Sequence, residues 1–319
     1  MTIVLLGYNG LIGDYILKEL IKELRKGLNL DIVCVGRDIR NQPMKNKKIK
    51  YVKWNFLDFT RSKLFFLQKK NIIINCIGKN QGNNEDLKKT NLNFIKKLSR
   101  YILVEKIFVR LIHMGSVSVY GAEKKYLNRS YNINETTPTN PDDSYSKNKL
   151  DVDLFIKKNL KFNRKKFSYT ILRIANVFSE TKNSNSFKFI KNFLNRGIWF
   201  KCSQNTNYHY IHARDVAQVV ILIIKNQKKT KNNTYIVSDD VNQFVLHKKY
   251  SNFNNRRLLV IPIPLKLINF IIKLSFLPKS ILNFFLVISS QTYYNNNKIK
   301  KVLNFRPKYS LRKEFMIDL

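Results

Sequence analysis

Acidic residues are scarce in this chain of 319 residues. Only 21 Asp and Glu stand against 59 Lys and Arg, a formal net charge of +38. Such an excess first suggests a binder of nucleic acid. The lysines are spread along the whole chain rather than gathered in one tail or helix, so no specific nucleic-acid partner is expected. Heavy use of Lys, Asn and Ile throughout has the look of an AT-rich coding sequence. The positive field would still draw in a diphosphate-bearing small molecule. Cysteine is rarer: Cys34, Cys76 and Cys202 are far apart and show no metal-ligand spacing. That pattern argues against a disulfide framework and a thiolate metal centre, and no metal is expected. Long apolar runs are missing too. The nearest, Leu258–Ser290, is broken by Lys266, Lys273, Lys279 and prolines, short of the roughly 18 uncharged residues a membrane span needs. It reads as packed amphipathic helices, with peripheral contact to an anionic membrane as the less favoured alternative. The first strand begins at Thr2, so no secretory leader is expected before it. These features predict a cytoplasmic protein with reduced thiols. There are no internal repeats.

What is present is a core: 44% of residues are hydrophobic, enough to exclude wholesale disorder. Short apolar runs at Thr2–Leu6, Asp31–Val35, Ile49–Lys53, Asn71–Cys76, Ile107–Met114 and Ser168–Arg173 read as buried parallel strands. Between them Ile12, Ile16, Leu17, Leu20, Ile21 and Leu24 share one helical face, and Gly27 suits the stop. Strand and helix in alternation predict an α/β fold with a Rossmann-type doubly wound parallel sheet. Asp215–Lys225 reads as another helix and Thr234–Val237 as another strand. From about Gly197 the alternation weakens. The expected division is a nucleotide-binding domain over 1–180 and a smaller C-terminal substrate lobe over 181–319, some of which returns to the sheet. Ala122–Pro141 is expected to be a surface loop.

Gly7-Tyr8-Asn9-Gly10-Leu11-Ile12-Gly13 follows the first strand directly and opens the first helix. Glycines there permit a tight turn and close approach of backbone to a pyrophosphate, and the helix N-terminus supplies N–H groups and a favourable dipole. At the end of the second strand, where an NAD-preferring site carries an acid, stand Gly36 and Arg37. A small residue leaves room for a 2′-phosphate and the arginine can pair with it. NADP(H) is therefore favoured over NAD(H). Asp58, after the third strand, is placed for the adenine edge, or else caps a helix.

Tyr145-Ser-Lys-Asn-Lys149 puts phenol and ammonium on one helical face. A nearby ammonium favours the phenolate, which suits Tyr145 to general acid–base work on a hydroxyl or ketone. Lys149 can also hold a ribose. Ser116, at the end of the fifth strand, is placed to orient the reacting oxygen. Glycine loop, strand-end serine and Tyr/Lys helix arrive in that order. Plain structural roles are expected for several other residues: Asn91 as a backbone bridge, Arg173 as a buried ion-pair partner, His113 and His212 as packed side chains, and Asp215 at a helix start.

With these pieces the chain resembles the NAD-dependent epimerase/dehydratase family of extended short-chain dehydrogenases. Matching stretches include Asn75-Cys76-Ile77-Gly78, Thr90-Asn91-Leu92, Ser116-Val-Ser-Val-Tyr-Gly121, Glu135-Thr-Thr-Pro138, Leu172–Phe178 and Tyr210–Ala217. The resemblance implies a nucleotide-sugar substrate touched by Ser116, Ser118, Asn176, Val177 and Phe178. It implies that Cys76, Ile77, Gly78, Asn91 and Ile174 line the cofactor, and that a homodimer is possible. Dehydratases of this family carry a Thr-Asp-Glu pattern where Ser116-Val117-Ser118 stands here, so dehydration is not expected. A 4-epimerase and a 4-ketoreductase, as in surface-polysaccharide synthesis, both remain open. So do a same-fold reductase of a non-sugar alcohol and a non-catalytic member. The family's Arg-Asp pair before the Tyr210 segment is Tyr208-His209 here, so either another basic residue, Arg214 or Arg256, takes the substrate diphosphate or the substrate differs.

Overall fold

A computed structural model of the chain describes residues 2–39, 44, 46–56, 66–122, 130–162, 165–180, 185–253, 255, 257–273 and 278–310. Two compact units emerge. The first comprises Met1–Val119, Pro141–Arg173 and Val216–Tyr235; the second comprises Tyr120–Asn140, Ile174–Asp215 and Ile236–Leu319. The first unit thus takes in 216–235, and the second takes in 120–140 and 174–180. The chain crosses several times, because the outer strand of the main sheet comes from beyond residue 230.

The first unit is built on a seven-stranded sheet. Its strands are β1 (Thr2–Leu6), β2 (Asp31–Gly36), β3 (Ile49–Lys53), β4 (Lys70–Asn75), β5 (Phe108–Ser116), β7 (Phe167–Ile174) and β11 (Asn233–Val237). Their order is β11-β7-β5-β4-β1-β2-β3. The pairs β3–β2, β2–β1, β1–β4 and β4–β5 are all parallel. Ile3, Val4 and Leu5 of β1 are fully buried, as a central strand covered on both faces requires. Helix Leu11–Arg25 buries Ile16, Leu17 and Leu20. Strand order reverses between β2 and β4 on either side of β1. This is the switch point outside which ligands bind in open α/β sheets.

The second unit holds three small sheets: β12-β10-β8, β13-β9 and β14-β6. Their strands are β6 (Tyr131–Ile133), β8 (Asn176–Phe178), β9 (Ile198–Lys201), β10 (Asn207–His212), β12 (Asp239–Asn242), β13 (Leu259–Pro262) and β14 (Thr292–Tyr294). Its core gathers Phe178, Phe187, Tyr208, Tyr210, Val241 and Leu246. One expectation needs correction here. Within the polar stretch 122–141, read as a surface loop, β6 pairs in parallel with β14 and Ile133 is fully buried. Glu135 Oε1 accepts from Ile236 N at 2.9 Å. A polar sequence is held in place by partners more than a hundred residues downstream.

Candidate active site

The glycine loop has the shape its residues demand. Gly7 has φ +79°, and its N–H donates to Val35 O at 2.8 Å, tying the loop to β2. Gly10 precedes helix Leu11–Arg25 and no side chain caps that helix. Its first turn, Leu11, Ile12 and Gly13, therefore presents backbone N–H groups that have no acceptor within the helix. A Cβ on Gly13 would lie 2.2 Å from Gly7 O, and one on Gly7 would lie 3.2 Å from the Cys76 carbonyl carbon. Backbone packs on backbone at the end of β1 and β4, a cradle that any side chain would fill. These residues fit a dinucleotide pyrophosphate.

At the end of β2 the geometry departs from expectation. A Cβ on Gly36 would meet Tyr8 Cε1 at 2.9 Å. The space that Gly36 leaves is taken by the buried Tyr8 ring, not left open. Tyr8 Oη donates to Asp38 O at 3.2 Å, and Asn9 Nδ2 donates to the same carbonyl. Arg37 is exposed, its guanidinium 5.6 Å from the Phe56 ring centroid. Asp58 lies outside the described residues.

The Tyr145 helix, Ser144–Phe162, starts on a cap that the intervening polar sequence supplies: Ser146 N donates to Asp143 Oδ1 at 2.7 Å. One turn separates Tyr145 from Lys149. Lys149 is buried, and its Nζ donates to Met114 O at 3.0 Å. That ammonium lies 5.9 Å from the Tyr145 ring centroid and 3.4 Å from where a Gly78 Cβ would stand. Asn91, in a π-helical turn at Lys88–Asn93, spans the Lys79 backbone: it accepts from N at 2.9 Å and donates to O at 3.0 Å. Its Oδ1 would be 3.6 Å from the same Gly78 Cβ. Gly78, Asn91 and Lys149 therefore converge at the end of β4. Cys76 is beside them. Burial pushes its thiol up to about 12, against the pull of Lys149, so it stays protonated. Burial, with Lys149 adding, holds His113 neutral, its Nδ1 3.1 Å from Asn75 Nδ2.

Ser116 ends β5 and is buried. Its Oγ accepts from Ser118 Oγ at 2.9 Å and from Ser118 N at 3.2 Å. Both acceptor positions filled leave the Ser116 hydroxyl proton to point at a reacting oxygen. Arg173 pairs with the fully buried Asp153 at 3.0 Å and is structural. Among the described residues no group of three or more His, Cys, Asp or Glu could hold a metal ion.

In the second unit, Asn176 is exposed, Val177 half-buried and Phe178 buried. Phe178 stacks on Phe187 with centroids 5.2 Å apart, so its ring belongs to the core of the second unit. Ile174 is likewise buried. Tyr208 and His209 are both buried and engaged by side chains of their own unit. Tyr208 Oη lies 3.1 Å from His247 Nε2, and His209 sits between Asp240 Oδ2 and Ser290 Oγ, each at 2.8 Å. Asp215 lies in the first turn of helix Ala213–Lys225, and it also accepts from Lys308 N and Tyr309 N, both at 2.9 Å, which anchors the segment around residue 308. Arg214 reaches Glu180 at 3.0 Å and lies 5.1 Å from the Tyr309 ring centroid; His212 is 3.4 Å from the same carboxylate. This Glu180–Arg214–Tyr309 cluster joins residues far apart in sequence and has no local signature. Arg256 lies outside the described residues.

The fold and the glycine cradle define an α/β protein of the Rossmann dinucleotide-binding class. Residues 3–238 match the profile of the NAD dependent epimerase/dehydratase family, and the chain belongs to that family. It is thus a nicotinamide-dependent enzyme of the extended short-chain dehydrogenase type. Among similar solved structures is the UDP-glucuronic acid 4-epimerase of Bacillus cereus in complex with NAD. It is 14% identical, with 99% of this chain and 96% of that chain covered and a TM-score of 0.71. The UDP-Glc/GlcNAc 4-epimerase of Campylobacter jejuni is 15% identical, with 99% and 96% covered and a TM-score of 0.71. DesIV, a dTDP-glucose 4,6-dehydratase of Streptomyces venezuelae with NAD bound, is 15% identical, with 99% and 95% covered and a TM-score of 0.70. No curated protein matches the chain significantly.

Proposed function

We propose that the chain is a nicotinamide-dependent sugar-nucleotide 4-epimerase or 4-ketoreductase in which Tyr145 exchanges the proton. The observation that carries this reading is the buried Lys149 ammonium held between Met114 O, Gly78 and the Tyr145 ring. A bound nicotinamide supplies hydride chemistry. Ser116 orients the sugar hydroxyl or ketone by a hydrogen bond, and Ser118 keeps its rotamer fixed. Tyr145 takes or gives the proton of that oxygen, and Lys149 stabilises the phenolate left behind. Lys149 has protons to spare for ribose hydroxyls, because Met114 O is its one hydrogen-bond acceptor among the described residues. Gly7, Asn9, Gly10, Leu11, Ile12 and Gly13 take the pyrophosphate, with Arg37 placed for a 2′-phosphate. The second unit's own candidates for the sugar nucleotide are Asn176, Val177 and Arg214. Ser116-Val117-Ser118 lacks the acid and base that dehydration needs. We place the enzyme in the cytoplasm, as a homodimer, in polysaccharide synthesis.

The test is incubation with UDP-hexoses and UDP-4-keto sugars while following NADPH absorbance and product stereochemistry. Epimer without net cofactor use identifies an epimerase; stoichiometric NADPH loss identifies a reductase. Tyr145→Phe is expected to lower turnover about 10²- to 10⁴-fold, the usual worth of general acid–base catalysis. Turnover unchanged in that variant rules the mechanism out.

A further inference from the structure

We infer that the second unit carries a docking face for an anionic lipid bilayer. Exposed large apolar side chains collect on a run of neighbouring elements. Strand β13 reads Leu-Val-Ile-Pro, yet Leu259 is 64% and Val260 42% exposed. Successive strand residues point to opposite faces, so a strand exposed at both is neither core nor an ordinary half-buried edge. Helix Leu265–Lys273 follows. It buries Ile268 on Leu286 and turns Leu267 (48%) and Phe270 (62%) outward, three residues apart on one face. Helix Lys279–Ser289 packs against it and leaves Ile281 exposed. Helix Asn185–Asn195 packs on that helix in turn, with exposed Phe189 having its ring centroid 6.1 Å from that of Phe284. Soluble surfaces rarely group so many large apolar residues without a partner.

Charge decides the partner. No acidic residue occurs between Asp240 and Glu314, a stretch that holds all of β13 and both apolar helices. Lys188, Arg196, Arg257 and Lys266, within or next to these elements, are exposed. A second copy docked by this same face would bring together two basic rims with no acid between Asp240 and Glu314 to offset them, which repels. A nucleic acid satisfies the lysines but gives Leu259, Val260 and Leu267 nothing to enter. Anionic lipid matches both: headgroups meet the basic rim while aliphatic side chains enter the acyl boundary. Among the described residues no helix is long and apolar enough to cross a membrane, so the face rests on the bilayer.

The experiment is flotation of the full chain with vesicles of phosphatidylcholine alone and of phosphatidylcholine with a quarter phosphatidylglycerol. Binding is expected only to the anionic vesicles. The variant Leu267→Ser with Phe270→Ser keeps the charge and is expected to weaken binding tenfold or more, with an unchanged thermal melt. Lys266→Glu is expected to weaken it more than Lys18→Glu, which makes the same charge change on an exposed residue of the first unit. No binding, or equal binding to neutral vesicles, overturns the proposal. So does equal loss in the two lysine variants, which marks generic attraction of a basic protein. If the serine pair melts lower, Phe270→Gln alone is used, and its unchanged binding overturns the proposal. Concentration-dependent self-association without lipid that the serine pair abolishes assigns the face to a second copy and also overturns it.

Discussion

At the scale of single residues, two glycines show what backbone proximity demands. Gly13 has no room for a methyl, since its Cβ would stand 2.2 Å from Gly7 O. Gly13→Ala must push the loop off the helix. It is expected to cost about 1–3 kcal/mol of stability, the usual range for overpacking, measured by urea unfolding, and to weaken nucleotide binding at least tenfold. Gly36 is different: its missing side chain makes room for Tyr8. The sequence alone made Gly36 look like open space, because nothing local ties position 8 to position 36. Arg37 keeps its own reading, an exposed guanidinium beside Phe56. Arg37→Ala is expected to weaken NADP(H) binding more than NAD(H) binding in parallel fluorescence titrations; equal losses would remove the 2′-phosphate assignment.

At the scale of elements, the strands of the first unit were legible because each is a short apolar run between breakers. Their bounds shift by no more than two residues, as with β4, which begins at Lys70 and not Asn71. The Tyr145 helix was legible from its i, i+4 pair. In the second unit the helices within Leu258–Ser290 were legible from their apolar spacing, but the short strands were not, because β6, β8 and β14 are three residues each and take their meaning from distant partners. Helix Gln243–Phe253 carries such a partner in His247. Burial among Tyr208 and Trp199 lowers its pKa from 6.5 to about 3. The unfolded chain binds a proton below pH 6.5 that the folded chain refuses. Stability therefore falls as pH drops from 6.5 toward 3, by about 2 kcal/mol at pH 5. His113 and His212 are shifted the same way by burial and steepen the loss. Urea unfolding at pH 7 and pH 5 should show a smaller difference in His247→Gln than in the parent chain; an identical difference would contradict this.

At the scale of the whole molecule, fold class and cofactor cradle could be read from the order of motifs. Weakening alternation after Gly197 suggests a boundary near residue 180 with some chain returning to the sheet, but does not say which segments cross. The observed units interleave because the segment 216–235 supplies the outer strand of the first sheet while 120–140 joins the second unit. Charge is split between the two levels: the acid-free stretch from 241 to 313 is in the sequence, whereas the exposure of Leu259, Leu267 and Phe270 within it is seen only in the fold. Lys149 has a consequence for the life of the molecule. A buried ammonium whose hydrogen-bond acceptor among the described residues is the Met114 carbonyl costs desolvation in the nucleotide-free enzyme, and a bound ribose offsets part of that cost. Lys149→Met is accordingly expected to raise the melting temperature of the nucleotide-free protein, because the desolvation cost of the buried ammonium is removed. The same change should shrink the rise that added dinucleotide gives, both read in one calorimetric series. In a starved cell, then, falling dinucleotide supply would do more than slow this enzyme: it would shorten the time each copy survives before proteolysis.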